Sequence, residues 1–161
     1  MLFRSSFPVS LHSPVMGRQL FGLGERVRFH MSVPDRLKEL AILLTARYWA
    51  AQYEWSVHQP AAIQAGLSEA KVKAIAEGRR PQGMAADEEL VYNFISELYK
   101  THQVSDARFA EVKKSFGERG MVDLVITAGY YQIVSMEMNV DRMPLGNGAA
   151  PPLKPIAKPL P

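Results

Sequence analysis

Apolar residues recur every three or four positions through most of this chain, and this spacing restricts the fold more than any other feature. From residue 14 to residue 139 the apolar positions form the stripes that are typical of amphipathic helices. No run of alternating apolar and polar residues between turn signals predicts a strand. The sequence therefore predicts an all-α, single-domain bundle of six to seven helices.

Caps and helix-breaking residues predict where the helices begin and end. Helices are expected over residues 14–29, 34–65, 68–78, 87–101, 105–116 and 119–139. The segment from Pro34 to Ala65 is either one long kinked helix or two helices that meet near residues 48–51. Gly66 fits a C-cap, and residues 79–83 (RRPQG) are expected to form a loop.

Proline separates a tail from the helical region. Six of the eleven prolines lie in residues 144–161, where they exclude helix and central strand and favour extended polyproline structure. We therefore expect an N-terminal extension over residues 1–10, a helical domain over 11–143 and a Pro-rich tail over 144–161. The tail is either a solvated terminus or an arm that packs on a neighbouring subunit through Leu145, Leu153 and Ile156.

Composition excludes several classes of protein. The chain has 161 residues and no cysteine, so disulfides, Cys-ligated metal centres and thiol catalysis are excluded. Its net charge of +3 comes from scattered basic residues, so we expect no nucleic-acid partner. Neither a secretory signal nor an apolar run of membrane-spanning length is apparent. We expect a soluble, cytoplasmic protein with no membrane partner.

The densest group of reactive side chains lies in residues 47–58. Glu54 and His58 are four residues apart and therefore share one face of a helix. A carboxylate one turn from an imidazole can orient the ring, raise its pKa and support proton transfer near neutral pH. The alternative is a surface ion pair that contributes little to stability. Neighbouring aromatic residues indicate burial and so favour a functional pair: Tyr48, Trp49, Tyr53 and Trp55.

Two charged residues on the preceding helix extend this group. Glu39 lies in an otherwise apolar segment and is either solvated beside Arg36 or a second carboxylate that points into the same cavity. Arg47, eight residues later, lies near the same face and can bind a carboxylate through its guanidinium. No metal-binding motif is present, so we expect neither a metal nor a cofactor. The candidate acid–base groups are His58, Glu54 and Glu39, and the candidate substrate-binding residues are Arg47, Tyr53 and Trp55.

These residues lie in segments that resemble the carboxymuconolactone decarboxylase family of the alkylhydroperoxidase D-like superfamily. The segments are 11–29 (LHSPVMGRQLFGLGERVRF), 34–68 (PDRLKELAILLTARYWAAQYEWSVHQPAAIQAGLS) and 124–146 (LVITAGYYQIVSMEMNVDRMPLG). The YEWxxH pattern from Tyr53 to His58 is the most specific part. The resemblance implies an alkylhydroperoxidase D-like helical fold and a homo-oligomer, either a trimer or a hexamer, with sites near subunit contacts.

The superfamily's thiol chemistry does not carry over to this chain. Its catalytic pattern is a glutamate, eleven residues, and then Cys-x-x-Cys-x-x-x-His. The glutamate falls on Glu39 and the histidine on His58, whereas the two cysteine positions fall on Ala51 and Glu54. A thiol peroxidase needs both sulfurs, so that activity is excluded and the decarboxylase branch is the better match.

The resemblance implies cofactor-independent decarboxylation of a small unsaturated lactone or carbonyl acid in the breakdown of aromatic compounds. Loss of carbon dioxide from carboxymuconolactone leaves electrons that delocalise onto the lactone carbonyl, so acid–base groups are sufficient. Arg47 would hold a substrate carboxylate, His58 oriented by Glu54 would donate the proton or stabilise the oxyanion, and Glu39 would complete the relay. The alternatives are another lyase or isomerase on the same site and a non-catalytic oligomer that binds small molecules.

Overall fold

Six helices joined by short connections make up most of residues 12–155. The computed structural model describes residue 10 and residues 12–155, and the described part contains no strand, so the predicted all-α class is confirmed. None of the helices within this part is both long and apolar enough to cross a membrane. The helices are α1 (Pro14–Phe29), α2 (Asp35–Tyr48), α3 (Gln52–Gln64), α4 (Glu69–Ala76), α5 (Ala86–Thr101) and α6 (Asp106–Asp141), followed by a 3₁₀ turn (Gly146–Gly148).

Helix α2 lies at the centre of the bundle. Ten of its 14 residues are buried, and it packs against α3, α4, α5 and α6. Leu37, Leu40 and Leu43 are almost fully enclosed in the main core. Each buried leucine of this kind stabilises the fold by about 1.5–3 kcal/mol. Because α2 is covered on several sides, four of its polar residues are buried with its apolar ones: Lys38, Glu39, Thr45 and Arg47.

A tight turn separates α2 from α3, so the second of the two predicted arrangements is confirmed. Ala50 takes a left-handed conformation with φ of 49°. The amide of Ala51 donates to the Ala46 carbonyl at 2.8 Å, and the amide of Ala50 donates to the Arg47 carbonyl at 3.1 Å. These two hydrogen bonds form a Schellman motif with alanine at the position where glycine is usual. The turn brings α3 back against α2.

Caps and glycines in the sequence predicted where the later helices begin and end. Gly66, with φ of 108°, follows the last residues of α3, and the Leu67 amide donates to the Ala62 carbonyl at 3.0 Å. Ser68 caps α4 by accepting a hydrogen bond from the Lys71 amide at 3.4 Å. The predicted division between residues 116 and 119 is a kink within α6, where Gly117 has φ of 70° and ψ of 177°.

The proline-rich tail packs on its own domain as far as the structure describes it. Leu153 is 2% exposed and belongs to the main core. Its amide donates to Gln52 Oε1 at 2.8 Å, and its carbonyl accepts from Gln52 Nε2 at 3.0 Å. The side chain of Leu153 is therefore enclosed by its own domain and is neither solvated nor packed on a neighbouring subunit. The Gln52 side chain satisfies both backbone groups of Leu153. Ile156 and residues 1–9 of the expected extension over residues 1–10 lie outside the described residues.

Two glycines of α1 provide a matched test of the packing between α1 and α6. A Cβ atom at Gly24 would lie 2.7 Å from Cζ of the buried Tyr130, whereas a Cβ atom at Gly22 would meet nothing within 4 Å. We expect Gly24→Ala to lower the free energy of unfolding by about 1–3 kcal/mol through overpacking. Gly22→Ala should raise it by roughly 0.5–1 kcal/mol because alanine favours helix. Urea denaturation of both variants measures this, and equal effects would contradict the described packing.

Candidate acid–base site

The imidazole of His58 lies between two carboxylates. Its Nδ1 is 2.8 Å from Glu39 Oε2, and its Nε2 is 3.5 Å from Glu54 Oε2. His58 and Glu54 are each 3% exposed, and Glu39 is buried as well. The structure thus brings together the three acid–base residues that the sequence predicted. The shorter contact is the one to Glu39, so the ring is held from that side as well as from the side of Glu54.

The short turn between α2 and α3 explains how these groups meet. Glu54 and His58 are one turn apart on α3, and Ala61 and Ala65 continue the same stripe at helical spacing. Glu39 reaches His58 from α2, 19 residues earlier in the sequence. A ring held from both sides by groups on two packed helices has its orientation restricted by both.

Burial affects the pKa of Glu54. It raises the pKa of Glu54 above its usual range, and the repulsion from Glu39 acts in the same direction. The attraction of His58 and Arg28 opposes this increase in the pKa. A carboxyl group that holds its proton more tightly than usual, next to an imidazole that bonds a second carboxylate, can pass a proton along the line Glu54–His58–Glu39.

Tyr131 is a member of the site that the sequence analysis did not single out. Its ring stands edge-on to His58, with centroids 4.8 Å apart and planes at 85°. Tyr130 packs edge-on against it in turn, at 5.2 Å. Burial and the two glutamates raise the pKa of Tyr131 well above its usual value, so its phenol stays neutral. The sequence signal that could have revealed Tyr131 is its phenol hydroxyl, a polar group on a helix face that is otherwise buried.

A cavity of about 350 Å³ reaches Glu39. Two cations lie on its wall beside the carboxylate: Arg28, from the end of α1, and Lys38. Lys38 Nζ donates to Asp35 Oδ1 at 2.7 Å and to the Arg28 carbonyl at 2.5 Å, which fixes its position. Glu39 is thus the member of the relay that meets this cavity, whose wall carries Asp35 as a second carboxylate beside the two cations.

The residues expected to bind substrate do not gather around the relay. Arg47 and Trp55 line a different cavity, of about 980 Å³. Tyr53 packs at the edge of a second apolar cluster that includes Tyr131. Eight residues of helix separate Glu39 from Arg47 by about 12 Å along the axis and about 80° around it. The prediction that Arg47 shares the cavity of Glu39 is therefore corrected.

The relay is not arranged as a metal site. Within residue 10 and residues 12–155, no group of three or more histidine, aspartate and glutamate side chains could hold a metal ion. The carboxylates of Glu39 and Glu54 lie on different nitrogens of the His58 ring. Because these nitrogens point in different directions, the three side chains do not converge on one point.

Comparison with known proteins adds no assignment to this geometry. A scan against protein-family models finds no match for the chain, and a search of curated proteins finds none either. The resemblance to the carboxymuconolactone decarboxylase family therefore rests on the segments quoted above and stays a prediction.

Glu54→Gln tests whether a raised pKa of Glu54 opposes folding at neutral pH. The folded state binds this proton more tightly than the unfolded chain, whose ordinary value is 4.5. The wild-type free energy of unfolding should therefore fall as the pH rises from that value through the raised pKa, by about 1.4 kcal/mol for each unit of difference. The variant should lack this decrease.

Urea denaturation at about pH 5 and about pH 8 measures the difference, and Glu54→Gln should gain stability relative to wild type at the higher pH. Asp141→Asn, at an exposed carboxyl at the end of α6, is the control for the loss of one carboxylate. A variant that loses relative stability as the pH rises would contradict the raised pKa.

Proposed function

We propose that this chain is a carboxymuconolactone decarboxylase-like enzyme. It would remove carbon dioxide from a small unsaturated lactone or carbonyl acid by acid–base catalysis without a cofactor. The observation that carries the proposal is the buried imidazole of His58 with Glu39 on one ring nitrogen and Glu54 near the other. A protein rarely keeps two carboxylates and an imidazole in its interior without a use, since burial of charge is costly.

The reaction needs one proton and a place for one electron pair. The bond between the substrate carbon and its carboxylate breaks, carbon dioxide leaves, and the electron pair moves through the alkene onto the carbonyl oxygen. A proton then adds to carbon as the electrons return. Glu39 borders the cavity and can deliver this proton, while His58 and Glu54 resupply it from behind. Solvent restores the proton that the product has taken.

The surroundings of the relay support this assignment. Arg28 lies on the cavity wall, where a guanidinium can bind an anionic substrate and stabilise an oxyanion as it forms, whereas Lys38 is paired with Asp35. Tyr131 packs edge-on against the His58 ring. Because its phenol stays neutral, it adds no negative charge to a site that already holds two carboxylates. The low exposure of His58 restricts access of water to the proton in transit.

Turnover of carboxymuconolactone by the full-length chain tests this proposal. His58→Ala and Glu39→Gln should each lower the rate of carboxylate loss by about 100-fold or more, the usual contribution of a general acid or base. Glu54→Gln should also lower it, because the relay would lose its inner carboxylate. His12→Ala, at an exposed histidine, is the control and should keep the wild-type rate.

Each outcome has a definite meaning. A folded wild type that does not turn over this lactone would shift the proposal to another lyase or isomerase reaction on a small acid, or to a binding protein without turnover. Near wild-type rates in both His58→Ala and Glu39→Gln would remove the relay from the mechanism. A pH–rate profile governed by a group near neutrality would support the relay with any substrate that is turned over.

A continuous apolar stripe on the last helix supports the second part of the proposal, a homo-oligomer. Its members fall within an arc of about 100° on the helix surface, and their exposed fractions range from 36% to 81%. An uncovered stripe of this kind is typical of an interface between subunits. The trimer or hexamer implied by the family resemblance would cover it with a second copy of the chain. The stripe consists of Val122, Val125, Ile126, Ile133, Met136 and Val140.

Ile133→Glu tests this interface. A charge in the middle of the stripe should dissociate the oligomer, because burial of an unpaired carboxylate between subunits is costly. Size-exclusion chromatography with light scattering should give the mass of a smaller assembly for this variant. Lys114→Glu, at an exposed polar position earlier in α6, should keep the wild-type mass. A wild type that runs as a monomer of 18.0 kDa would contradict the oligomer.

A further inference from the structure

Arg47 is a buried cation whose partners are missing. It is 3% exposed, and its Nε and Nη1 atoms are enclosed without a hydrogen-bond partner in the described part of the chain. The other buried cation of α2, Lys38, has both a carboxylate and a backbone carbonyl as acceptors. A guanidinium stays charged in proteins, and a buried charge without a counterion is strongly unfavourable. This arrangement therefore points to an anion that completes the site.

The cavity of about 980 Å³ beside Arg47 has the size and lining of a ligand site. One side is apolar, with Trp55, Ile63 and Val72. Trp55 directs its indole N–H to Gln59 Oε1 at 3.1 Å, so its polar atom is already satisfied. The charged wall residues are three basic and two acidic side chains, which leaves one net positive charge: Arg47, Lys73, Lys154, Glu69 and Glu77.

The proline-rich tail closes part of this cavity. Pro152, Lys154 and Pro155 form a section of its wall. The segment is held in place by the buried side chain of Leu153 and by the two hydrogen bonds between Leu153 and Gln52. Because the tail brings Lys154 to the wall, a ligand at Arg47 would also be enclosed by a segment far from it in the sequence.

We propose that this cavity is a second ligand site, which binds a small amphipathic monocarboxylate. The carboxylate lies on the fork of Arg47, which suits a planar anion with two oxygens. The hydrocarbon or aromatic part lies against Trp55, Ile63 and Val72. One net positive charge matches a monoanion better than a phosphate dianion.

This site is separate from the acid–base site. Along α3 the residues that line it, Trp55, Gln59 and Ile63, follow one face, whereas Glu54 and His58 follow another. The proposal therefore holds whether or not the relay turns over a substrate.

Calorimetric titration of the full chain with benzoate tests the site, with benzamide as the neutral ligand of the same shape. Benzoate should bind at least about tenfold more tightly than benzamide. Arg47→Met should abolish that preference, while the melting temperature of the ligand-free variant stays unchanged or rises, because an unpaired charge has been removed. Arg47→Lys should weaken benzoate binding by about tenfold, since lysine keeps the charge but not the fork.

Two further variants separate the possible outcomes. Gln52→Ala should weaken benzoate binding while it keeps Arg47, because it releases the tail from the cavity wall. His58→Ala should bind benzoate as wild type does, so loss of turnover and loss of this site can be told apart. Equal binding of benzoate and benzamide, or wild-type benzoate binding by both Arg47→Met and Arg47→Lys, would overturn the proposal. So would a wild type that does not bind benzoate.

Discussion

The burial of α2 on several sides is the constraint from which the rest of the structure follows. A helix enclosed by four others has little solvent-facing surface, and three of its charged residues are buried: Lys38, Glu39 and Arg47. Each of them must find a partner in the interior or leave one missing. Lys38 bonds Asp35 and a backbone carbonyl, and Glu39 bonds His58. Arg47 Nε and Nη1 have no hydrogen-bond partner among the residues that the structure describes. The two proposed sites follow from these different outcomes.

Burial of charge alone does not identify a functional group in this protein. Glu88 is also buried, but it accepts hydrogen bonds from Lys71 at 2.7 Å and from the Ala85 amide at 2.7 Å, and it pairs with Arg36. Burial acts to raise its pKa, yet these partners hold the pKa below its usual range. Glu88 therefore links α2, α4 and α5 through a structural ion-pair network in which both of its carboxylate oxygens have partners. Glu54, whose pKa is raised, and Arg47, whose partners are missing, differ from it in that respect.

Helix α3 separates the two sites. One of its faces carries Glu54 and His58 towards Glu39 and the smaller cavity, and another carries Trp55 and Gln59 towards Arg47 and the larger one. Because a helix presents different residues on each side, one element serves both. A ligand in the larger cavity would contact α3, the helix that also carries His58. The effect of such a ligand on the turnover rate of the acid–base site can therefore be measured.

The sequence by itself determined most of the helices, the Gly66 cap, the division between residues 116 and 119 and the shared face of Glu54 and His58, since each depends on spacing within a few residues. It also indicated Glu39, through a carboxylate in an apolar segment. Only the tertiary structure decided which carboxylate bonds the imidazole, where Arg47 lies and that Leu153 is buried. The last of these depends on Gln52, 101 residues away in the chain. Contacts of this range depend on how distant elements pack, which local periodicity does not encode.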